Sequence, residues 1–434
     1  MASNSADIEQ EESVHKAHLR TFPQGMTAYR YDALVLDAML RQSLATVRSL
    51  GKRGFRVAAL ESGVAPAFVS RWCRHGFIYS ANEGALSYLD YLEQALDRTG
   101  AWVLIPSSDG TIALLRRQRE QLEQRTRIAL AKESALAIAV NKERTLSVAA
   151  LLGLSVPRSI TVEAADTVPA ALKAIGLPLV VKPVESWVAI DQAGLQGTRI
   201  ASCLVITAAE AYNAVEKLTA QGGTVLFQQY LSGRREAISL LYANGNVHAR
   251  FAQWARRTEP PLGGTSVLRQ SIAVPKDSGV QAERLVREID LEGYAEVEFR
   301  RDSAGVPYLM EINPRLSASV EIAVRSGVDF PYLLYQWASG EQIDTITSYR
   351  TGNWMRYLKG DMMTTIAALQ QRGRPGVPSP TQAMLAFCSS FLQPMDYDYL
   401  DWRDPVPALK ATASFTRSWL GEATKKRIGR TFAR

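Results

Sequence analysis

Two acidic residues, an amide and a guanidinium sit close together near residue 300. The stretch 294–315 reads YAEVEFRRDSAGVPYLMEINPR. Its spacing predicts two strands, Ala295 to Arg300 and Val306 to Ile312, joined by the turn Asp302-Ser303-Ala304-Gly305, whose residues bond their own backbone or accept positive φ. A hairpin folds the thirteen-residue separation of Glu298 and Glu311 back on itself, so the two carboxylates can approach one another. Asn313 lies two residues beyond Glu311 and points the same way along an extended chain, and Arg315 continues that face. Two carboxylates and an amide oxygen make a hard-cation site of the kind Mg²⁺ completes with phosphate oxygens and water. Arginine adds a planar fork for phosphate. The alternative is an exposed hairpin with solvated charges. Met310 and Ile312 weigh against it, because they set Glu311 in an apolar strand where an uncompensated carboxylate is costly.

The pattern resembles the metal-binding end of the ATP-grasp ligases: an acid, about a dozen residues, then Glu-x-Asn-x-Arg, here Glu298 and Glu311-Ile312-Asn313-Pro314-Arg315. The following GVDFPYLLYQWASGE (327–341) is similar to the helix that follows in the carbamoyl-phosphate-synthetase-like, carboxylate–amine ligase branch. The resemblance implies ATP with Mg²⁺, or Mn²⁺, as cofactors. It places the metal on Glu298, Glu311 and Asn313.

The elements that must position this hairpin precede it. DALVLDAML (32–40), SLATVRSLGKRG (43–54), FRVAALES (55–62), a helix over Ser87 to Arg98 and AWVLIPSSDG (101–110) alternate strand and helix, which implies a parallel sheet. No G-x-G-x-x-G follows the first strand, so a dinucleotide site is disfavoured. Ser107, Ser108 and Asp109 stand at a strand end, either near a ligand or as ordinary caps of the next helix. Lys142, in the Asn-Lys-x-x-Thr stretch that opens the grasp region, is by resemblance a phosphate-reaching lysine and otherwise a surface helix lysine. Lys182 interrupts the apolar run LPLVVKPVES, where a buried ammonium needs an anion. The resemblance puts it on ATP. The loop DQAGLQGTR (191–199) corresponds to the family's phosphate-covering loop, here sparse in glycine, with a plain flexible loop as its rival reading. Gln228, Gln229, Tyr230 and Leu231 match the adenine-binding hinge, with glutamine where many relatives carry glutamate, and Glu236 matches the acid that bonds ribose. Arg256 and Arg257, in a loop punctuated by Pro-Pro and Gly-Gly, and Arg269 on the returning strand are candidates for a substrate carboxylate or an ATP phosphate.

The expected fold is therefore mixed α/β and α+β: a flexible N-terminus (1–28), a Rossmann-like pre-ATP domain (29–130), an ATP-grasp domain of two α+β subdomains enclosing ATP (131–341), and a C-terminal extension with a basic tail (342–434). The expected reaction is ATP-dependent joining of a carboxylate to an amine, or less readily a thiol, through an acyl phosphate, with Lys182 and Arg315 offsetting charge on the moving phosphoryl group. Activation of bicarbonate for carbamoylation or carboxylation is a second reading. A nucleotide-binding scaffold at a membrane is a third.

Composition bounds these readings. With 434 residues, 47% of them hydrophobic and 21% charged, the chain is an ordinary globular sequence long enough for two or three domains. Cys73, Cys203 and Cys388 are far apart, which fits a reducing compartment, and four histidines argue against a histidine-based metal centre. The N-terminus has no apolar signal segment and no run reaches eighteen apolar residues, so a cytoplasmic location is expected. The net charge of +7 is concentrated in residues 408–434, where seven Lys/Arg face one Glu. This excludes a broadly basic nucleic-acid binder. It leaves the tail either solvated or docked peripherally on an anionic membrane or an acidic protein.

Overall fold

The computed structural model describes residues 30–79, 84–189, 197–199, 202–220, 223–261, 263–371, 373–374 and 376–417. The expected N-terminal segment, most of the loop at 191–199 and the basic tail beyond residue 417 lie outside these residues.

The chain first builds a five-stranded parallel sheet. Its order is Cys73–Ile78, Val57–Glu61, Tyr31–Val35, Ala101–Ile105, Arg127–Ile128. Ala101–Ile105 is a continuous buried apolar run and Tyr31–Val35 is buried from Ala33 onward, as expected of a parallel sheet covered on both faces. Ser108 caps the helix Asp109–Arg117, its Oγ accepting from Thr111 N at 3.1 Å.

A small four-stranded sheet follows, ordered Cys203–Val205, Leu179–Pro183, Val225–Gln229, Ser159–Val162. Alternation divides its side chains. Leu179, Val181, Val225 and Phe227 pack with the helices Val168–Ile175 and Ala208–Thr219 in their own core. Lys182 pairs with Leu226 and Val180 with Gln228, so Lys182 and Gln228 share the opposite face.

The third layer is a seven-stranded sheet: Pro307–Asn313, Gly293–Arg301, Arg235–Ala243, Asn246–Glu259, Thr265–Ile272, Trp354–Arg356, Asp396–Tyr397. Its last two strands come from the C-terminal extension, so the expected boundary at 341 is not an edge of the sheet. The acidic, Pro-punctuated segment near 400 supplies buried anchors. Asp398 is held by Arg41 of the first domain and Arg269 of the large sheet. Asp404 accepts from Arg48 Nε at 2.9 Å, Ser70 Oγ at 2.7 Å and Arg71 N at 2.9 Å. Asp361 on the helix Leu358–Gln370 takes Arg356 Nε at 2.6 Å and Arg257 at 2.8 Å. No helix among the described residues is long and apolar enough to cross a membrane.

Candidate functional site

The hairpin forms as its turn residues require. Asp302 Oδ1 accepts from Ala304 N and Val306 N, both at 2.9 Å, and Gly305 takes φ 83°. Registers run Arg301↔Pro307, Arg300↔Tyr308 and Phe299↔Leu309, then slip by one to Glu298↔Glu311, Val297↔Ile312 and Glu296↔Asn313. Met310 is the extra residue of this β-bulge. Were the ladder regular through Met310, Glu298 would pair with Met310 and Glu311 with Val297, on the other side of the sheet, because a one-residue slip inverts every side chain. The bulge puts Glu311 directly opposite Glu298, with Asn313 beside Glu296 on the same face.

Like charges facing across a ladder are destabilising unless compensated. Here three cations compensate. Arg235, on the neighbouring strand, is half-buried and forms an ion pair with the buried Glu298. Asn313 Nδ2 donates to the same Glu298 oxygen at 3.2 Å. Lys142 Nζ lies 3.7 Å from Glu311 Oε2 and donates to Ser186 Oγ at 2.9 Å. Lys142 is only 5% exposed, so it is not a surface lysine. Asn141 caps its helix, and Lys142 N donates to Val184 O at 3.0 Å, tying that helix to the strand that carries Lys182. Burial alone would raise the Glu311 pKa, but Lys142, Lys182 and Arg235 hold it below the usual carboxylate value. Lys182 makes no ion pair among the described residues; burial lowers its pKa to about 8, against the pull of Glu311. Burial of an ammonium is costly unless charge nearby offsets it, and Lys182 faces Glu311 and Glu298 without a direct ion pair to either among the described residues.

Glu296 continues the row. Burial and the neighbouring Glu298 charge push its pKa up to about 7, opposed by the Ser317 hydroxyl, Arg235 and Arg315. Arg315 forms a fork-to-fork pair with Asp109 of the first domain, 2.5 Å from Nε to Oδ1 and 3.0 Å from Nη2 to Oδ2, and stands 3.5 Å from Asn313 Oδ1. Asp109 is thus the member of the 107–109 group that reaches the hairpin.

The hinge Gln228–Leu231 leaves the small sheet and enters the large one. Gln228 is fully buried on the Lys182 face; its Nε2 donates to Ser159 Oγ at 3.3 Å and its Oε1 has no hydrogen-bond partner among the described residues. Gln229 N donates to Arg158 O at 2.9 Å, Tyr230 is half-buried and Leu231 O accepts from Arg300 Nη1 at 2.8 Å. Gly233 completes the crossing, where any Cβ would strike the Arg301 carbonyl.

Several expected residues lie elsewhere. Glu236 pairs in register with Phe299, on the face opposite Glu298. It is fully buried between Arg234 (2.8 Å from Nε) and Arg301 (3.0 and 2.9 Å), so it is a structural acid and cannot meet a ligand on the carboxylate face. Arg269, fully buried, is consumed by Asp398, and Arg257 by Asp361 and by Thr365 Oγ1 at 2.5 Å. Neither guanidinium is available to a substrate. Arg256 is exposed, with its guanidinium 5.7 Å above the Trp354 ring. Sequence reading missed Arg235, Glu296, Gln253 and Arg300, and left Asp109 open between a ligand contact and a helix cap. The alternation of 296, 298 and 300 was a signal for two of them; the rest depend on strand order.

Among the described residues no three His, Cys, Asp or Glu side chains cluster tightly enough to hold a metal by themselves. The donor set is two carboxylates and an amide, which fits a Mg²⁺ that keeps water and takes phosphate oxygens. The unpaired Lys182 and the orphaned Gln228 acceptor fit a polyanion that also carries a hydrogen-bond donor.

Comparison with known proteins bears on the fold. Residues 222–360 match a family model described as ATP-grasp in the biosynthetic pathway with Ter operon. D-alanine–D-alanine ligase of Nitrosospira multiformis is 25% identical over 189 residues, 41% of this chain and 58% of that one. The same enzyme of Xanthomonas axonopodis is 27% identical over 220 residues, 46% of this chain and 64% of that one. The chain therefore spans less than two thirds of these curated relatives. Among solved structures, a biotin carboxylase–ATP complex from Campylobacter jejuni superposes with TM-score 0.60 at 17% identity, covering 75% of this chain and 74% of that one. L-amino acid ligase from Bacillus licheniformis does so with TM-score 0.55 at 19% identity, covering 73% and 76%.

Proposed function

Starting from a chain that has the ATP-grasp fold, we propose that it is an ADP-forming ligase that activates a carboxylate and joins it to an amine. The observation that carries this reading is the bulge-dependent pairing of Glu298 with Glu311, faced by Lys182 from the smaller sheet and by Lys142 from the start of the helix Lys142–Leu151. Glu298, Glu311 and Asn313 would hold Mg²⁺, which when bound neutralises phosphate oxygens. Lys142 and Lys182 bring two ammonium groups to the same place and offset charge that builds on a transferring phosphoryl group. The hinge from Gln228 to Leu231 orients the nucleotide base, with the Gln228 acceptor turned toward the cleft. Arg315 supports the metal amide and, through Asp109, fixes the first domain against the hairpin.

The acid's carboxylate oxygen takes the γ-phosphoryl group, giving an acyl phosphate and ADP. The ammonium first gives one proton to solvent; the free amine nitrogen then attacks the acyl carbon, the carbon–oxygen bond to phosphate breaks, phosphate leaves, and the nitrogen gives up a second proton to the departing phosphate or to solvent, which leaves the amide. The chain needs no covalent nucleophile of its own for either step. An ADP-release assay with mixed amino acids and small carboxylates tests the reading. Release that requires an acid and an amine together supports it. Nucleotide binding with ADP release indifferent to every added acid sinks it.

A further inference from the structure

The strand Gly293–Arg301 lays out the cleft in order. Arg300 touches the hinge carbonyl of Leu231, Glu298 carries the metal face, and Glu296 comes next, each step about 7 Å along one face. A nucleotide with its base at the hinge and its phosphates at Glu298 and Glu311 ends before Glu296. What reacts with the activated carboxylate must lie over the ground beyond.

That ground is rich in acceptors. Gln253 pairs in register with Ala237, which in turn pairs with Glu298, so Gln253 lies on the same face two strands away. Its Nε2 donates to Ser319 Oγ at 2.6 Å and to Glu296 Oε2 at 3.2 Å. Both donor hydrogens are thus directed at acceptors, while Gln253 Oε1, on a residue 4% exposed, has no partner among the described residues. Glu296, 3% exposed, forms no ion pair among them either. The two nearby guanidiniums are already committed, Arg235 to Glu298 and Arg315 to Asp109. Buried polar groups left without partners are costly. An ammonium carries three donors and no acceptor, which is the complement of this set. A carboxylate brought here would meet Glu296 with no free cation to offset it.

We propose that Glu296, Gln253 Oε1 and Ser319 form the subsite for the ammonium of the amine substrate, beyond the phosphate end of the nucleotide. The proposal rests on the ligase reading above and adds to it the charge class of the nucleophile and the residues that receive it.

The test uses the full chain with ATP–Mg²⁺ and an equimolar mixture of the twenty L-amino acids. Parallel reactions contain hydroxylamine, which is uncharged near neutral pH and traps an activated carboxylate as hydroxamate without needing an ammonium site. For Glu296→Gln the ratio of amide to hydroxamate is expected to fall about tenfold or more, since one charge-assisted hydrogen bond is lost. Gln253→Met, which keeps the volume and removes the orphan acceptor, is expected to lower the same ratio by about fivefold, and serves if Glu296→Gln melts out. An unchanged ratio in a folded variant overturns the proposal and leaves a buried water as the occupant. An equal fall in amide and hydroxamate also overturns it, because the groups then serve the acid or the metal. A wild type that yields neither ADP nor hydroxamate defeats the ligase reading instead. Line broadening of methylammonium by the ADP–Mg²⁺-loaded chain then decides the subsite on its own. Broadening that disappears in Glu296→Gln supports it, and no broadening in the wild type overturns it.

Discussion

Two buried charge clusters in this chain use the same residue types to opposite ends. Around the C-terminal extension each acid is saturated: Asp398 lies between Arg41 and Arg269, and Asp361 between Arg257 and Arg356. In the hairpin acids face acids, Glu298 across from Glu311 with Glu296 beside them, and the Lys182 ammonium has no counter-ion among the described residues. The first cluster balances itself and clamps the C-terminal extension to the large sheet and to the helix Arg41–Lys52 of the first domain. The second gathers acids and ammonium groups on one face with few direct pairs, Arg235 on Glu298 and Lys142 at 3.7 Å from Glu311. The two clusters differ in how tightly each charge is paired, not in the residue types they use.

The comparison is broken most severely at Glu311. Glu311→Gln removes charge without volume, and ADP formation is expected to fall about 100-fold or more with little change in melting temperature. Turnover at the wild-type rate would remove Glu311 from the metal set. The opposite pattern is expected at Asp398. Asp398→Ala leaves Arg41 and Arg269 buried without an anion and should cost about 3–5 kcal/mol of stability, read by chemical denaturation. A variant as stable as the wild type would mean that the clamp contributes nothing.

Lys182→Ala is expected to weaken ATP–Mg²⁺ binding by about 1.5–3 kcal/mol in calorimetry. The wild-type affinity should also depend on pH. Lys182 is facing Glu311, Glu298, Lys142 and Arg300, and its pKa is lowered to about 8, so it is charged below that pH and loses its proton above it. Affinity should therefore fall as pH rises past about 8, and Lys182→Ala should flatten that fall. A flat wild-type profile would assign Lys182 a structural role. The smallest functional effect is expected at Glu236. Glu236→Gln should leave nucleotide affinity within about twofold while lowering stability by roughly 1–3 kcal/mol, since Arg234 and Arg301 lose a buried partner. A large loss of affinity in a stable variant would return Glu236 to the nucleotide site.

Much of the architecture was written in local pattern. Alternating strand and helix segments announced the parallel sheet, and Asp302 and Gly305 announced the hairpin, because turn chemistry acts over a few residues. That Lys182 would need nearby negative charge was legible, because an ammonium in a Val-rich strand is buried, and in the fold it faces Glu311 and Glu298. Residues whose roles depend on distant partners were not legible. Arg257 and Arg269 look like substrate ligands in sequence, and only the return of the chain about 100 and 130 residues later, to place Asp361 beside Arg257 and Asp398 beside Arg269, shows where each guanidinium is held. Glu236 has the right type at the right distance from the hinge, but strand parity turns it away from the cleft.

The division is sharpest in the hairpin itself. Residue types alone determined that carboxylates, an amide and an arginine would be gathered near residue 300, since a turn at 302–305 must fold the strands together. They did not determine that Glu298 and Glu311 share a face, for a regular ladder would have set them on opposite sides. One extra residue, Met310, decides it, and whether a strand accommodates a bulge depends on the packing of both its faces, which exists only in the folded chain.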